Sequence, residues 1–262
     1  MSATRFAIAM VGAGAVATHL ALALATAGHR ITGVWSRRQC SAERLGLSLG
    51  GVVATTDMAA LPAADLYVVS VKDDAIASVV SLLGASIAPS SLVVHTAGSV
   101  PCDVLRGFAR HGVIYPMQTF SLGRAVDFAQ VPVAVEGSSA AVEATLAAVA
   151  ATISESVTHL NSVQRAHLHL AAVFACNFTN ACLRAAAEVC QQHAIDPAIL
   201  DALVAETVAK VRTLSPHAAQ TGPARRHDKA VMQRQHDLLS DAPDLQRLYD
   251  AVSHYIASQY HD

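Results

Sequence analysis

The feature that most constrains this chain is a glycine-rich turn that lies between an apolar strand and an apolar helix. Residues 6–11 are all apolar, as is typical of a strand buried on both faces. The sequence Gly12-Ala13-Gly14-Ala15-Val16-Ala17 follows, and residues 15–27 have the composition of a helix. An ordinary glycine turn is the alternative. A GxGxxA turn with a strand before it and a helix after it favours the first βα unit of a Rossmann-type domain.

The small residues of this turn each have a physical reason. Gly12 permits a tight turn, Gly14 lets a pyrophosphate approach the backbone, and Ala17 lets the helix pack close to the strand. The free N–H groups at the start of the helix, together with its dipole, favour an anion there. The residues expected to contact the pyrophosphate of a dinucleotide are Gly12, Ala13, Gly14, Ala15 and Val16.

The end of the second predicted strand indicates which dinucleotide is bound. NAD binders usually place an acidic residue there, which holds the ribose 2′-hydroxyl. This chain instead has Ser36-Arg37-Arg38 after Trp35. A hydroxyl and two guanidinium groups suit a 2′-phosphate. We therefore predict NADP(H) as the cofactor, bound in part by Ser36, Arg37 and Arg38. The alternative is that both arginines lie in a solvated loop.

Two further strand ends are expected to line the same cofactor, because ligands of such sheets bind at the carboxyl ends of the strands. His95 closes one of these strands and is either a polar group of the active site or a packed histidine. The other cofactor-binding residues expected at these ends are Val71, Lys72, Thr96, Ala97 and Gly98.

Composition excludes several classes of protein. The chain has 262 residues, of which 53% are hydrophobic and 15% charged, and its formal net charge is −2. These values exclude a disordered chain, and the negative net charge argues against the basic surface of a nucleic-acid binder. The five cysteines have neither CxxC nor metal-ligand spacing, so we expect no metal, no disulfide framework and a reducing cytoplasm. Glycines interrupt the long uncharged runs, so we expect neither a signal peptide nor a membrane span.

The pattern of elements predicts an α/β fold with two domains. Strand and helix patterns alternate up to about residue 157, which predicts a Rossmann-like, mostly parallel sheet domain over residues 1–157 that binds NADP(H). Residues 158–262 have little strand signal and are expected to form an all-α C-terminal domain for substrate binding and dimerisation. Its first helix is predicted over residues 162–193.

Further motifs extend the pattern over the whole length. They are Gly12-Ala-Gly-Ala-Val-Ala, His95-Thr-Ala-Gly-Ser, Tyr115-Pro-Met-Gln-Thr-Phe-Ser, His169-Leu-Ala-Ala-Val-Phe-Ala-Cys-Asn177 and Thr221-Gly-Pro-Ala-Arg-Arg-His-Asp228, with His236 beyond them. With these the chain resembles the Rossmann-like plus DUF2520 proteins. They lie within the superfamily of pyrroline-5-carboxylate reductase, ketopantoate reductase and β-hydroxyacid dehydrogenase. The resemblance implies an NADP-dependent oxidoreductase and a homodimer formed through the helical domain.

The first helix of the second domain carries the catalytic candidates. In the β-hydroxyacid dehydrogenases that the chain resembles, this helix supplies a lysine, whereas here it offers Arg165, His169, Asn177 and Asn180. In a regular α-helix the last three fall within an arc of about 80°, although His169 and Asn177 lie about 12 Å apart along the axis. A histidine titrates near neutral pH, so we expect His169 to donate the proton and Asn177 to orient the substrate. The alternative is that these side chains are hydrogen-bonded packing groups.

Substrate-binding candidates lie in two loops and on the second domain. Arg226 is expected to clamp a carboxylate, unless it forms an ion pair with Asp228 that fixes its own loop. The complete predicted set is Gln118, Thr119, Asn180, Arg226, Asp228 and His236. The sequence thus predicts an NADP(H)-dependent oxidoreductase that transfers hydride to or from a small, anionic carbonyl or imine compound. The alternative is a non-catalytic NADP(H)-binding sensor or assembly protein.

Overall fold

A computed structural model describes residues 5–260, and its main feature is an eight-stranded sheet. The strands are β1 Ala7–Val11, β2 Arg30–Trp35, β3 Val53–Thr55, β4 Leu66–Val69, β5 Leu92–His95, β6 Arg110–Pro116, β7 Val133–Gly137 and β8 Val157–His159. Their order is β3-β2-β1-β4-β5-β6-β7-β8, and all neighbours are parallel except β6 and β7. The predicted mostly parallel Rossmann-like sheet is confirmed.

Ten α-helices accompany this sheet in the described residues. They are α1 Ala15–Thr26, α2 Gln39–Ser48, α3 Ile76–Gly84, α4 Ala140–Ala150, α5 Ser162–Ala172, α6 Thr179–Gln192, α7 Asp201–Thr213, α8 Pro216–Ala219, α9 Lys229–Asp237 and α10 Pro243–Ser258. β8 is the last strand in the described residues, and from α5 to residue 260 the regular elements are all helical.

Both faces of the central strands are buried, which explains their continuous apolar sequence. Along β1, Ile8 and Met10 join a core that contains Leu20 of α1 and Leu146 of α4. Ala9 and Val11 point to the opposite core, which includes residues of α3. Because the strand order reverses between β1 and β4, the carboxyl ends of these two strands border the crevice in which such sheets bind ligands.

The helix predicted over residues 162–193 is not a regular α-helix throughout. A π-helical segment, Val173–Phe178, lies between α5 and α6. A π-helix turns through fewer degrees per residue than an α-helix, so the 80° arc expected for His169, Asn177 and Asn180 does not apply. The short strand β8 was not predicted, because its three residues are partly exposed and carry little apolar pattern.

The chain divides into two compact units, residues 1–177 and residues 178–262. The boundary predicted between residues 157 and 158 lies earlier in the chain than this division, because the prediction assigned α5 to the helical domain. In the structure α5 belongs to the sheet-containing unit, in which its Arg165 side chain is buried against residues of the β5 and β7 regions. The second unit contains α6 to α10 and, up to residue 260, has no strand, as expected.

One apolar helical run stands out for its exposure. Ser162–Gln192 is long and apolar enough to cross a membrane by length and composition, and none of its most apolar stretch is buried. Val163 and Leu170 on α5 are 66% and 54% exposed. They are seven residues apart and share one helix face. Large apolar side chains exposed together on one helix face are unusual for a surface in contact with water.

Candidate active site

The glycine turn after β1 has a geometry that only glycine accommodates. Gly12 has φ +126°, and its N–H donates to the Trp35 carbonyl at 2.8 Å. A Cβ atom at this position would lie 2.1 Å from the carbonyl oxygen of Ser70 in the neighbouring β4 region. The turn therefore brings the ends of β1, β2 and β4 into close contact, as the GxGxxA pattern predicts.

We expect Gly12→Ala to destabilise the protein by more than the left-handed backbone alone explains. Gly50 also has a positive φ, +86°, but a Cβ there would meet nothing within 4 Å. Gly50→Ala should thus cost about 1 to 2 kcal/mol from backbone strain, whereas Gly12→Ala must also displace Ser70. Urea unfolding of both variants measures the difference. Equal losses of unfolding free energy would contradict the role given to the Gly12–Ser70 contact.

Gly14 supplies an open, uncapped helix start. It is the N-cap residue of α1, and no side chain caps the helix. A Cβ on Gly14 would meet no other atom within 4 Å. The first-turn N–H groups of α1 therefore face free space, where they and the helix dipole suit a pyrophosphate. Ala17, three residues on, is fully buried, as close helix–strand packing requires.

These elements border a cavity of about 640 Å³ at the carboxyl edge of the sheet. The cavity contains all but one of the residues predicted to bind the cofactor. Its lining is Gly12, Ala13, Gly14, Ala15, Val16, Trp35, Ser36, Arg37, Arg38, Ser41, Ser70, Val71, Lys72, Asp73, Thr96 and Ala97. The exception is Gly98, where a Cβ would instead lie 2.6 Å from Nδ1 of His169.

The end of β2 presents two cations to this cavity. Arg37 and Arg38 are exposed, and neither guanidinium forms a salt bridge within residues 5–260. Helix α2 begins directly after them at Gln39, again without a side-chain cap. Two uncompensated guanidinium groups beside a free helix start form an environment suited to a phosphate group.

Two residues near these arginines, Ser41 and Arg44, were not predicted to contact the cofactor. Ser41 lies within the first turn of α2, which begins at Gln39. Its side chain is buried against the cavity. Arg44 reaches the Ala13 carbonyl at 3.5 Å. Its position one turn along an amphipathic helix gave no separate signal in the sequence.

The candidate proton donor His169 has a partner that sequence reasoning missed. The hydroxyl of Tyr115, near the carboxyl end of strand β6, lies 3.1 Å from Nδ1 of His169, and the two rings pack edge to face. Burial raises the pKa of Tyr115, so its hydroxyl remains protonated near neutral pH. Tyr115 stood in a recognised motif at a strand end, and that position was the available signal.

His95 is a packed histidine. Its side chain is fully buried, and its Nδ1 accepts a hydrogen bond from the Ala97 N–H at 3.1 Å. The proton therefore resides on Nε2, which has no hydrogen-bond partner of good geometry among residues 5–260. Burial, with the nearby Arg165 cation, lowers the pKa of His95 to about 4. His95 thus fastens the turn after β5 in its neutral form.

The buried His95 predicts an acid-sensitive fold. The unfolded chain protonates this residue below its ordinary pKa of 6.5, whereas the folded chain does so only below about 4. Unfolding free energy should therefore fall by about 3 kcal/mol as the pH drops through this window. Urea unfolding at pH 7 and pH 4 of wild type and His95→Asn tests this. The same loss in the variant would assign the acid sensitivity to other groups.

The remaining predicted residues are distributed over both units. Gln118 and Thr119 are exposed in the loop after β6, where the Gln118 side chain accepts from the Thr119 N–H. Asn177 is exposed in the π-helical segment and ends the first unit. In the second unit, Asn180 is exposed on α6.

The loop before α9 holds the last candidates. Asp228 caps α9 by accepting from the Val231 N–H at 3.1 Å, and Arg226 is exposed. No salt bridge joins Arg226 to Asp228 in the described part of the chain. His236 pairs with Asp250 at 2.9 Å. The substrate contacts of all these residues stay predictions.

Comparisons with known proteins agree with this architecture. A Rossmann-like domain model matches residues 1–121, and a model for a domain of unknown function, DUF2520, matches residues 131–256. A solved structure from Bacteroides fragilis, named as a candidate NADP oxidoreductase, is 42% identical over 97% of this chain and 98% of its own, with a TM-score of 0.91. No protein with a curated description matches the chain.

Two more distant structures share the fold. A protein from Thermotoga maritima is 20% identical over 96% of this chain and 98% of its own, with a TM-score of 0.77. The reductive aminase from Aspergillus terreus, in complex with NADPH and ethyl-5-oxohexanoate, is 18% identical over 99% of this chain and 97% of its own, with a TM-score of 0.73.

Proposed function

Since the chain belongs to the family that joins a Rossmann-like domain to DUF2520, we propose that it is an NADP(H)-dependent oxidoreductase acting on a small carbonyl or imine compound. The observation that carries this proposal is the dinucleotide-sized cavity, which has Arg37 and Arg38 at one end and Thr96 and Ala97 at the other. The likeness of the fold to that of a reductive aminase solved with NADPH and a keto ester supports the substrate class.

The cofactor fits the residues present. The open start of α1 at Gly14 receives the pyrophosphate, and Ser36, Arg37 and Arg38 receive the 2′-phosphate. Ser41 lines the same cavity, and Arg44 reaches the carbonyl of Ala13 in its wall, so both are added to the proposed binding set. Val71, Lys72, Thr96 and Ala97 line the other strand ends. When bound, NADPH supplies the hydride.

The chain's own part in the reaction is proton supply and orientation. His169 is the proton donor to the reduced oxygen or nitrogen atom, and Tyr115 holds the imidazole ring through its Nδ1. In the donating imidazolium both ring nitrogens carry protons: Nδ1–H donates to the Tyr115 oxygen, and the Nε2 proton is the one that passes to the substrate, which leaves a neutral ring with its proton on Nδ1. Asn177 orients the substrate, and Arg226 binds its acidic end, with Gln118, Thr119, Asn180, Asp228 and His236 as further contacts.

A substrate screen tests the proposed activity. The purified protein is mixed with NADPH and a panel of 2-oxo acids, keto esters and cyclic imines, with and without added amines, and NADPH absorbance is followed. Turnover of at least one substrate, with much weaker use of NADH, is expected. Tight NADPH binding without turnover on the entire panel would instead favour the non-catalytic sensor or assembly role.

We also propose that the protein is a homodimer, with the exposed apolar face of Ser162–Gln192 covered by a second copy. Apolar surface of this extent is more stable against another apolar surface than in water. Light scattering after gel filtration should therefore give twice the chain mass. The cytoplasmic location stays a prediction from composition.

The variant Leu170→Glu tests the dimer face, because a carboxylate there would be buried in the interface. It should give a monomer or an unstable protein, whereas Leu47→Glu, at a more exposed leucine on α2, should leave the dimer intact. A wild-type monomer, or a dimer unaffected by Leu170→Glu, would exclude this face.

A further inference from the structure

Arg165 is a buried cation that the proposed reaction does not use. It lies on α5 and is 1% exposed. Among the fully buried side chains of the described residues it is the largest. Burying a guanidinium is costly unless all its donors are satisfied. The partners that satisfy it therefore indicate what the charge does.

The guanidinium joins three parts of the first unit. Nε donates to the Ala97 carbonyl at 3.2 Å, and the two terminal nitrogens donate to the Val100 carbonyl and to the Glu136 carboxylate of β7. Ser162 completes the network: its hydroxyl contacts the Glu136 carboxylate at 2.9 Å and accepts from the Cys102 N–H at 2.9 Å. The turn that follows β5 is thus held from both ends.

This turn carries parts of the candidate active site. Ala97 lines the cofactor cavity. Gly98 lies so close to the Tyr115–His169 pair that a Cβ would be 2.6 Å from Nδ1 of His169 and 2.9 Å from the Tyr115 ring. A shift of the turn would therefore move a wall of the cavity and the surroundings of His169 at once.

We propose that Arg165 is a positioning residue: through the Ala97 and Val100 carbonyls it holds the turn after β5 in place, and with it the nicotinamide end of the cofactor cavity and the imidazole of His169. This inference rests on the proposed function. A planar guanidinium has donors in fixed directions and binds two carbonyls and a carboxylate together. A lysine ammonium is a single point of positive charge and cannot reproduce this fork.

The test compares two ligands that share one half. NADPH occupies the whole cavity, whereas adenosine 2′,5′-bisphosphate lacks the nicotinamide half and reaches only the arginine end. Arg165→Lys removes the fork and keeps the charge. The double variant Arg165→Met/Glu136→Gln removes the ion pair without leaving either charge buried alone, so it protects against a failure to fold. Ser162→Ala is a milder third variant.

In folded variants we expect about tenfold weaker binding of NADPH, unchanged binding of adenosine 2′,5′-bisphosphate, and a kcat lower by about a hundredfold with a smaller change in KM. The matched control is Arg184→Met/Glu188→Gln, which makes the same chemical change at an exposed ion pair on α6. That control should leave both affinities and kcat unchanged.

Two results would overturn the proposal. One is unchanged NADPH affinity and kcat in a folded Arg165 variant. The other is equal loss of both ligands, which would mean that the network stabilises the whole unit and not the turn. If wild type shows no turnover, the proposed function fails, but the contrast between the two ligands still decides the positioning role.

Discussion

His169→Ala should lower kcat by about a thousandfold and leave the dissociation constant of NADPH nearly unchanged. General acid catalysis contributes about 10² to 10⁴ in rate, and His169 is the imidazole that lies beside Gly98 at the turn carrying the cavity wall. Its Nδ1 is engaged by Tyr115, so its other nitrogen is the one available to a substrate. Stopped-flow and steady-state assays with a substrate from the screen measure kcat, and fluorescence titration measures NADPH binding.

His167→Ala is the matched control for this change. His167 lies on the same helix and bonds the Val163 carbonyl of its own helix. It shares the helix face of Val163 and Leu170, so the mass of this variant in solution is measured together with its kcat. It should retain wild-type kcat. An unchanged kcat in His169→Ala would show that His169 does not donate the proton. The hydroxyl of Tyr115 would then be the next candidate donor.

Tyr115→Phe separates the two members of the pair. If Tyr115 acts only by holding His169, its loss should reduce kcat by about tenfold, and the double variant should be no worse than His169→Ala alone. Fully additive losses would instead indicate that the hydroxyl acts independently of the imidazole.

The second large effect concerns the cofactor. Arg37→Ala/Arg38→Ala should raise the dissociation constant of NADPH by about a hundredfold or more, while that of NADH changes little. A hydrogen bond to a charged group contributes about 1.5 to 3 kcal/mol, and two exposed guanidinium groups should give less than twice this because water and salt screen them. The two titrations by fluorescence, at low and high salt, measure both the preference and its electrostatic part.

Arg30→Ala is the control for charge alone. Arg30 is an exposed arginine at the opposite end of the same strand, β2. Its substitution therefore removes a cation that lies away from the cavity. It should preserve the preference for NADPH. Equal affinities of wild type for NADPH and NADH would contradict the assignment of a 2′-phosphate site. A preference for NADPH that survives the double substitution would instead assign 2′-phosphate binding to Ser41 and Arg44.

The sequence alone predicted the Rossmann-type half because its signals are local. An apolar strand, a GxGxxA turn and a helix are adjacent in the chain, and the positive φ of Gly12 is a property of that turn. The arginines at the end of β2 could be assigned for the same reason, since the position after the second strand has a fixed place in this topology. Local sequence thus determined the fold class and supports the proposed cofactor.

Only the tertiary structure decided the arrangement around His169. Tyr115 and His169 are 54 positions apart, and Arg165 is 68 positions from Ala97, so no periodicity relates them. The π-helical segment likewise breaks the regular spacing on which the expected polar stripe depended. Contacts between distant segments are set by how buried groups must satisfy their hydrogen bonds once the strands have packed. That requirement, which appears only in the folded chain, placed the arginine, the turn and the histidine together.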